Sequence, residues 1–184
     1  MRIIAGTQRG HKLDTLKGSK LRPTSEQMRE TLFDVLGPSV RGATFMDAYA
    51  GSGAIGLEAL SRGAGEVVFV EHHRAASKMI RKNLDALKIQ GSFRLMTSKV
   101  LTAFEKLEDE GASFDFVFLD PPYDEISEYH HGLRQLGRSS LIRPSSLVIA
   151  EHSRHQILEE RYAQLARVRT IRHGDVILTF YQLA

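Results

Sequence analysis

A chain of 184 residues is long enough for one domain with a substantial buried core. It has no cysteine, which excludes disulfides, thiolate metal sites and cysteine nucleophiles and leaves the cytoplasm as the expected compartment. The N-terminus turns polar too early for a signal peptide, and no apolar run approaches the roughly 18 residues of a membrane span, so no membrane association is expected. The formal charge is +3, and its placement is uneven. Arg2, Arg9, Lys12, Lys17, Lys20 and Arg22 face only Asp14 in the first stretch, which is either a phosphate-binding surface or a solvated basic arm.

In chain order, Arg2–Leu13, with Ile3, Ile4 and Leu13 around Gly6 and Gly10, reads as a small β-hairpin. Thr24 with Gln27 three residues on forms a capping box, predicting a helix through about Leu36 that Gly37-Pro38 ends. Residues 1–40 are thus expected to be a basic extension and helix, and residues 41–184 one compact domain. From there short apolar runs alternate with amphipathic stretches, the signature of βα units around a parallel sheet. The expected strands are Thr44–Tyr49, Val67–Glu71, Phe93–Thr97, Phe114–Leu119 and Leu147–Glu151. Ala76, Met79, Ile80, Asn83, Leu84 and Leu87, and then Val100, Leu101, Phe104 and Leu107, each mark one face of a helix. Gln164–Arg172 and Val176–Leu183 flank His173-Gly174-Asp175 with no helix between them, which predicts a closing antiparallel hairpin. The expectation is a Rossmann-like α/β sheet of seven strands.

Asp47-Ala48-Tyr49-Ala50-Gly51-Ser52-Gly53-Ala54-Ile55-Gly56 lies between the first strand and a helix, where ligands meet the carboxyl edge of such sheets. Gly51 and Gly53 allow close backbone approach, and the helix presents its N-terminus. The glycine spacing also fits nicotinamide enzymes, with Glu71 where a ribose-binding acid belongs. However, a pyrophosphate would be repelled by Asp47, whereas a cationic ligand would be attracted. S-adenosylmethionine, with an ammonium and a sulfonium but no phosphate, suits the set: Asp47 on its amino-acid end, directly or through water, and Glu71 on its ribose hydroxyls.

Asp120-Pro121-Pro122-Tyr123 directly follows an apolar strand. Two prolines remove two backbone donors and stiffen the loop, leaving the Asp120 carboxylate and the Pro121 carbonyl as outward-pointing acceptors. Two acceptors match the two hydrogens of an exocyclic base amine, whose lone pair must be localised before it attacks a methyl group. Tyr123 is placed to stack on the base, which must be unpaired or flipped out to enter.

Taken together these residues resemble the RsmD family of bacterial small-subunit ribosomal RNA guanine-N2 methyltransferases. The likeness rests on Arg2-Ile3-Ile4-Ala5-Gly6 with Arg9-Gly10, on Arg22-Pro23-Thr24 with Arg29-Glu30-Thr31-Leu32-Phe33, on Asp47 to Gly53 with Gly56-Leu57-Glu58-Ala59-Leu60-Ser61-Arg62-Gly63-Ala64, and on Asp120-Pro121-Pro122-Tyr123. The resemblance implies a class I methyltransferase fold, S-adenosyl-L-methionine as cofactor, and methylation of a guanine N2 amine in small-subunit rRNA within an assembling subunit by a monomer. It assigns Asp120, Pro121, Pro122 and Tyr123 to catalysis and Asp47, Tyr49, Gly51, Ser52, Gly53, Glu71 and Ser98 to the cofactor. Arg2, Arg9, Arg22 and Arg29 are assigned to RNA phosphates. Where the family often carries an acid near the cofactor's adenine amine, this chain reads Met96-Thr97-Ser98-Lys99-Val100. Lys99 cannot accept a hydrogen bond, which leaves backbone groups or Ser98 for that task. Tyr49 stands where Phe is frequent.

His72-His73 and His130-His131 are expected to be solvated, with neighbouring rings pointing apart and no metal bound. Arg167, Arg169 and Arg172 fit a solvated strand face as well as an RNA contact. The rival functions are methylation of adenine N6 or another amino group, a nicotinamide oxidoreductase, and a non-catalytic RNA-binding relative.

Overall fold

The computed structural model describes residues 1–15, 25–122 and 125–184, which form two compact units, Met1–Ser98 and Lys99–Ala184. Of the expected capping box, Thr24 lies outside the described residues and Gln27 is in the first turn of the helix. The helix that box was expected to open is α1, Glu26–Leu36, and the cap observed on it is Ser25, whose hydroxyl accepts the Met28 N–H. Met28, Leu32, Phe33 and Leu36 form its buried face. A single 3-10 turn, Gly37–Val40, follows where Gly37-Pro38 was expected to stop the helix.

In the first unit, β1 (Thr44–Ala48), β2 (Glu66–Val70) and β3 (Phe93–Met96) are parallel, in the order β3-β2-β1. Helices α2 (Ala54–Ser61) and α3 (Arg74–Ala86) connect them, so the loops after β1 and β2 leave the same edge. β1 and β2 are buried along all but their first residues, as continuous apolar runs between helices must be. Packing between α2 and β2 is tight: a Cβ on Gly56 would sit 2.2 Å from Phe69 Cε1, so only glycine lets the helix lie this close. The N-terminal segment is less regular than the expected hairpin. It makes one antiparallel bridge, Arg2 to Lys12, supported by Ile3 N–H to the His11 carbonyl and Gly10 N–H to the Ile3 carbonyl.

In the second unit, β4 (Phe114–Leu119) pairs in parallel with β5 (Ile142–Ser153), with α4 (Val100–Asp109) and α5 (Ile126–Leu136) as its helices. β5 is also antiparallel to β8 (Val176–Leu183), β8 to β7 (Leu165–His173), and β7 to β6 (Arg161–Tyr162). The closing hairpin at Gly174 is therefore present as expected. The described residues form eight strands rather than seven. The additional one, β6, has two residues, too short to show alternation. Among the described residues no helix is long and apolar enough to cross a membrane.

Candidate active site

The loop after β1 is organised by two acids. Asp47, near the end of β1, is 2% exposed, and its Oδ2 accepts the Gly56 N–H at 2.9 Å in the first turn of α2. Helix N-termini leave such donors unpaired, and Asp47 supplies one acceptor. Burial pushes its carboxyl up to about 7; the Gly56 N–H opposes this shift and the charge of Glu71 adds to it. Glu71, just past β2, accepts the Gly51 N–H at 2.8 Å on one oxygen and the His73 N–H at 2.7 Å on the other. Tyr49, Gly51 and Gly53 all have left-handed φ, at 71°, 55° and 78°. This bends the chain sharply between strand and helix; for Tyr49 it is strained backbone held by its surroundings.

Asn83 on α3 was read from sequence only as part of an apolar helix face, yet it ties this loop to the N-terminal segment. Its amide accepts the Asp14 N–H at 2.9 Å, and its Nδ2 faces the carbonyls of Asp14 at 3.1 Å and of Ser52 at 3.2 Å. After β3, the Ser98 hydroxyl oxygen is buried without a hydrogen-bond partner. A buried polar atom left in this state suits a ligand that would complete it. Two carboxylates, an open position at Gly51 and this orphaned hydroxyl fit a ligand with a cationic end and several hydroxyls.

The RNA-facing assignments divide. Arg2 and Arg9 are exposed, Arg2 pairing with Glu26 at 3.1 Å. Arg22 lies outside the described residues. Arg29, expected to meet RNA phosphates, is wholly buried and cannot reach them. Its Nη2 donates to the Arg2 carbonyl at 2.9 Å, and its Nη1 lies 3.7 Å from Glu58, an ion pair too long for a hydrogen bond. Glu58, also fully buried, accepts the N–H groups of Ile4 and Ala5 at 2.8 and 3.0 Å and the Arg62 Nε at 2.8 Å. The pair thus pins the N-terminal segment onto α1 and α2. Burial pulls Arg29 below its ordinary range while Glu58 pushes it back.

In the second unit, Asp120 is partly buried after β4, followed by the buried Pro121 and partly buried Pro122; Tyr123 lies outside the described residues. The Pro121 carbonyl was expected to point outward as a free acceptor. Instead it faces the hydroxyl of the fully buried Tyr129 at 3.1 Å, which leaves its second lone pair for another donor. The Pro122 carbonyl accepts the Glu125 N–H at 2.9 Å ahead of α5.

The His72 and His73 rings do not diverge as expected; their centroids are 3.7 Å apart. With Glu71 they bring one ligand atom each within 4.8 Å, and each Glu71 oxygen also accepts one backbone N–H. His131 is exposed as expected, whereas His130 is partly buried, its Nδ1 meeting the Tyr162 hydroxyl at 2.7 Å.

Strand order, a glycine loop between β1 and α2 and an acid past β2 define the class: a Rossmann-like α/β protein of the class I methyltransferase type. The family model described as Conserved hypothetical protein 95 matches residues 1–182. Ribosomal RNA small subunit methyltransferase D of Haemophilus influenzae is 35% identical over 99% of the chain and 93% of its own length. Its namesake of Escherichia coli strain K12 is 43% identical over 67% of the chain and 60% of its own length. The solved structure named "Putative methyltransferase yhhF from Escherichia coli" has a TM-score of 0.85 at 36% identity, covering 100% of this chain and 97% of that one. The chain belongs to this family, the RsmD family.

Proposed function

We propose that this chain is an S-adenosylmethionine-dependent ribosomal RNA methyltransferase that modifies the N2 amine of a guanine in the small subunit. The observation carrying the reading is the pair of acids at the loop after β1: Asp47, buried near the end of β1, accepts the Gly56 N–H in the first turn of α2, and Glu71 holds the Gly51 N–H. Negative charge at that position disfavours a pyrophosphate and favours a cationic ligand. The names of the relatives, methyltransferases of small-subunit rRNA, agree with it.

Glu71 would accept the ribose hydroxyls, Asp47 the ammonium end, and Ser98 with neighbouring backbone the adenine; Gly51, Ser52 and Gly53 form the cradle, with Tyr49 setting its bend. Bound there, S-adenosylmethionine supplies an electrophilic methyl group on its sulfonium. Asp120 and the free lone pair of the Pro121 carbonyl accept the two amine hydrogens, localise the nitrogen lone pair and hold it for in-line attack. Pro122 stiffens the frame and Tyr123 stacks on the flipped guanine. Arg2, Arg9 and Arg22 contact phosphates, with residues 41–184 as the catalytic domain of a cytoplasmic monomer acting on an assembling subunit.

The test is transfer of radiolabelled methyl to small subunits lacking the modification, followed by nucleoside analysis. Label in N2-methylguanosine is expected. Label in N6-methyladenosine would move the activity to another amino group, and no label despite cofactor binding would leave a non-catalytic RNA-binding protein.

A further inference from the structure

Tyr129 sits on α5 with no solvent exposure, and its hydroxyl lies between two main-chain carbonyls, that of Glu151 at 2.8 Å and that of Pro121 at 3.1 Å. A phenol has one hydrogen to donate, so two acceptors at these distances compete for it. The two are unequal in kind. Glu151 is buried within β5, paired in register with Leu178 of β8, and is part of the rigid sheet. Pro121 belongs to a loop whose two prolines have no N–H to anchor it. Of its carbonyls, that of Pro122 is held by the Glu125 N–H, and that of Pro121 meets the Tyr129 hydroxyl.

We propose that Tyr129 is a positioning residue for methyl transfer: its hydroxyl, anchored on the Glu151 carbonyl of β5, sets the direction of the Pro121 carbonyl toward the target amine. This rests on the reading that Asp120 and Pro121 hold the amine. The hydroxyl serves both states of the site. Without substrate it shares its hydrogen with Pro121 and keeps that oxygen satisfied in a buried setting. When an amine N–H reaches Pro121 it takes the second lone pair of that oxygen, while the hydroxyl stays seated between Pro121 and Glu151. The acceptor is thereby held in place in advance and stays held while the amine is bound.

The test uses Tyr129→Phe, which keeps the ring and its packing and removes only the hydroxyl. At a temperature where circular dichroism shows the variant folded, kcat is expected to fall about tenfold or more while the cofactor Kd stays within twofold. Replacing Tyr129 with 4-aminophenylalanine, which returns a donor at the same position, is expected to restore most of kcat; a packing role would make the two replacements equal. A kcat within twofold of wild type in Tyr129→Phe, or no recovery with the amino analogue, overturns the proposal. Asp120→Ala, run beside it, separates the proposal from the reading beneath it. Lost turnover with cofactor binding retained supports that reading, and retained turnover would overturn it whatever Tyr129→Phe does.

Discussion

The two compact units treat buried charge differently. Among the described residues, the first buries Arg29, Asp47, Glu58 and Glu71, whereas the second buries one charged side chain, Glu151, and His152. His152 lies between the Ser153 carbonyl and the Thr179 hydroxyl, and burial holds it below its ordinary range, toward the neutral form. Burying a charge costs free energy unless partners replace its hydration. In the first unit that cost falls at two places, around the loop after β1 and under the N-terminal segment, where preorganised acceptors and a docked arm are needed. The second unit positions its loop by other means: two prolines, a helix-start hydrogen bond and one tyrosine hydroxyl. On the proposed function, the loop that would grip a cationic cofactor is built on buried acids, and the one that would hold a neutral amine on the Asp120 carboxylate and one main-chain carbonyl.

The contrast breaks most sharply at Glu58. Ile4 and Ala5 donate to different oxygens of Glu58, so Glu58→Gln keeps an acceptor for one of the two N–H groups, sets its own NH2 against the other, and leaves the Arg29 guanidinium buried without the carboxylate beside it. The expected loss is about 3–5 kcal/mol, and at roughly 2–4 °C per kcal/mol for a chain of this size the melting temperature should drop by about 10 °C. An unchanged thermal transition would show that the pair is not carrying this charge.

Asp47 tests the ligand side. Its carboxyl is raised to about 7, so the folded protein keeps a proton that the unfolded chain loses from its ordinary range upward. Stability should therefore decline as pH rises from about 4 to 7 and level off above. Asp47→Asn, which retains an oxygen for Gly56, should remove that decline. Cofactor binding runs the other way, because a cationic end prefers the ionised carboxylate. Affinity for S-adenosylmethionine should weaken by up to about tenfold per pH unit below 7 in the wild type and be nearly flat in Asp47→Asn. Calorimetric titration between pH 6 and 8 decides this, and a pH-independent wild-type affinity would remove Asp47 from the ligand.

The smallest expected effect sharpens the link between the loop and the N-terminal arm. Asn83→Ala deletes the contacts to Asp14 and Ser52, and at about 1 kcal/mol net the cofactor Kd should rise roughly fivefold. Proteolysis after Lys12 should accelerate in the same variant. Accelerated cleavage with an unchanged Kd would show that the arm and the loop are independent.

Local chemistry determined much of this protein from its sequence. The parallel strands, the glycine turn at Gly51 and Gly53, the hairpin at Gly174 and the Asp120-Pro121-Pro122 frame all follow from short-range periodicity or from residues with unusual backbone freedom. Tertiary structure alone decided what the polar residues do. Arg29 looks like a surface cation until Glu58, far along the chain, compensates it from α2. Asn83 is one more position on an apolar helix face until the Asp14 and Ser52 backbones reach it from two directions. The Pro121 carbonyl looks free until α5 brings the Tyr129 hydroxyl against it. In each case burial removes the water that would otherwise satisfy the group, and the replacement partner comes from an element whose distance the sequence does not encode.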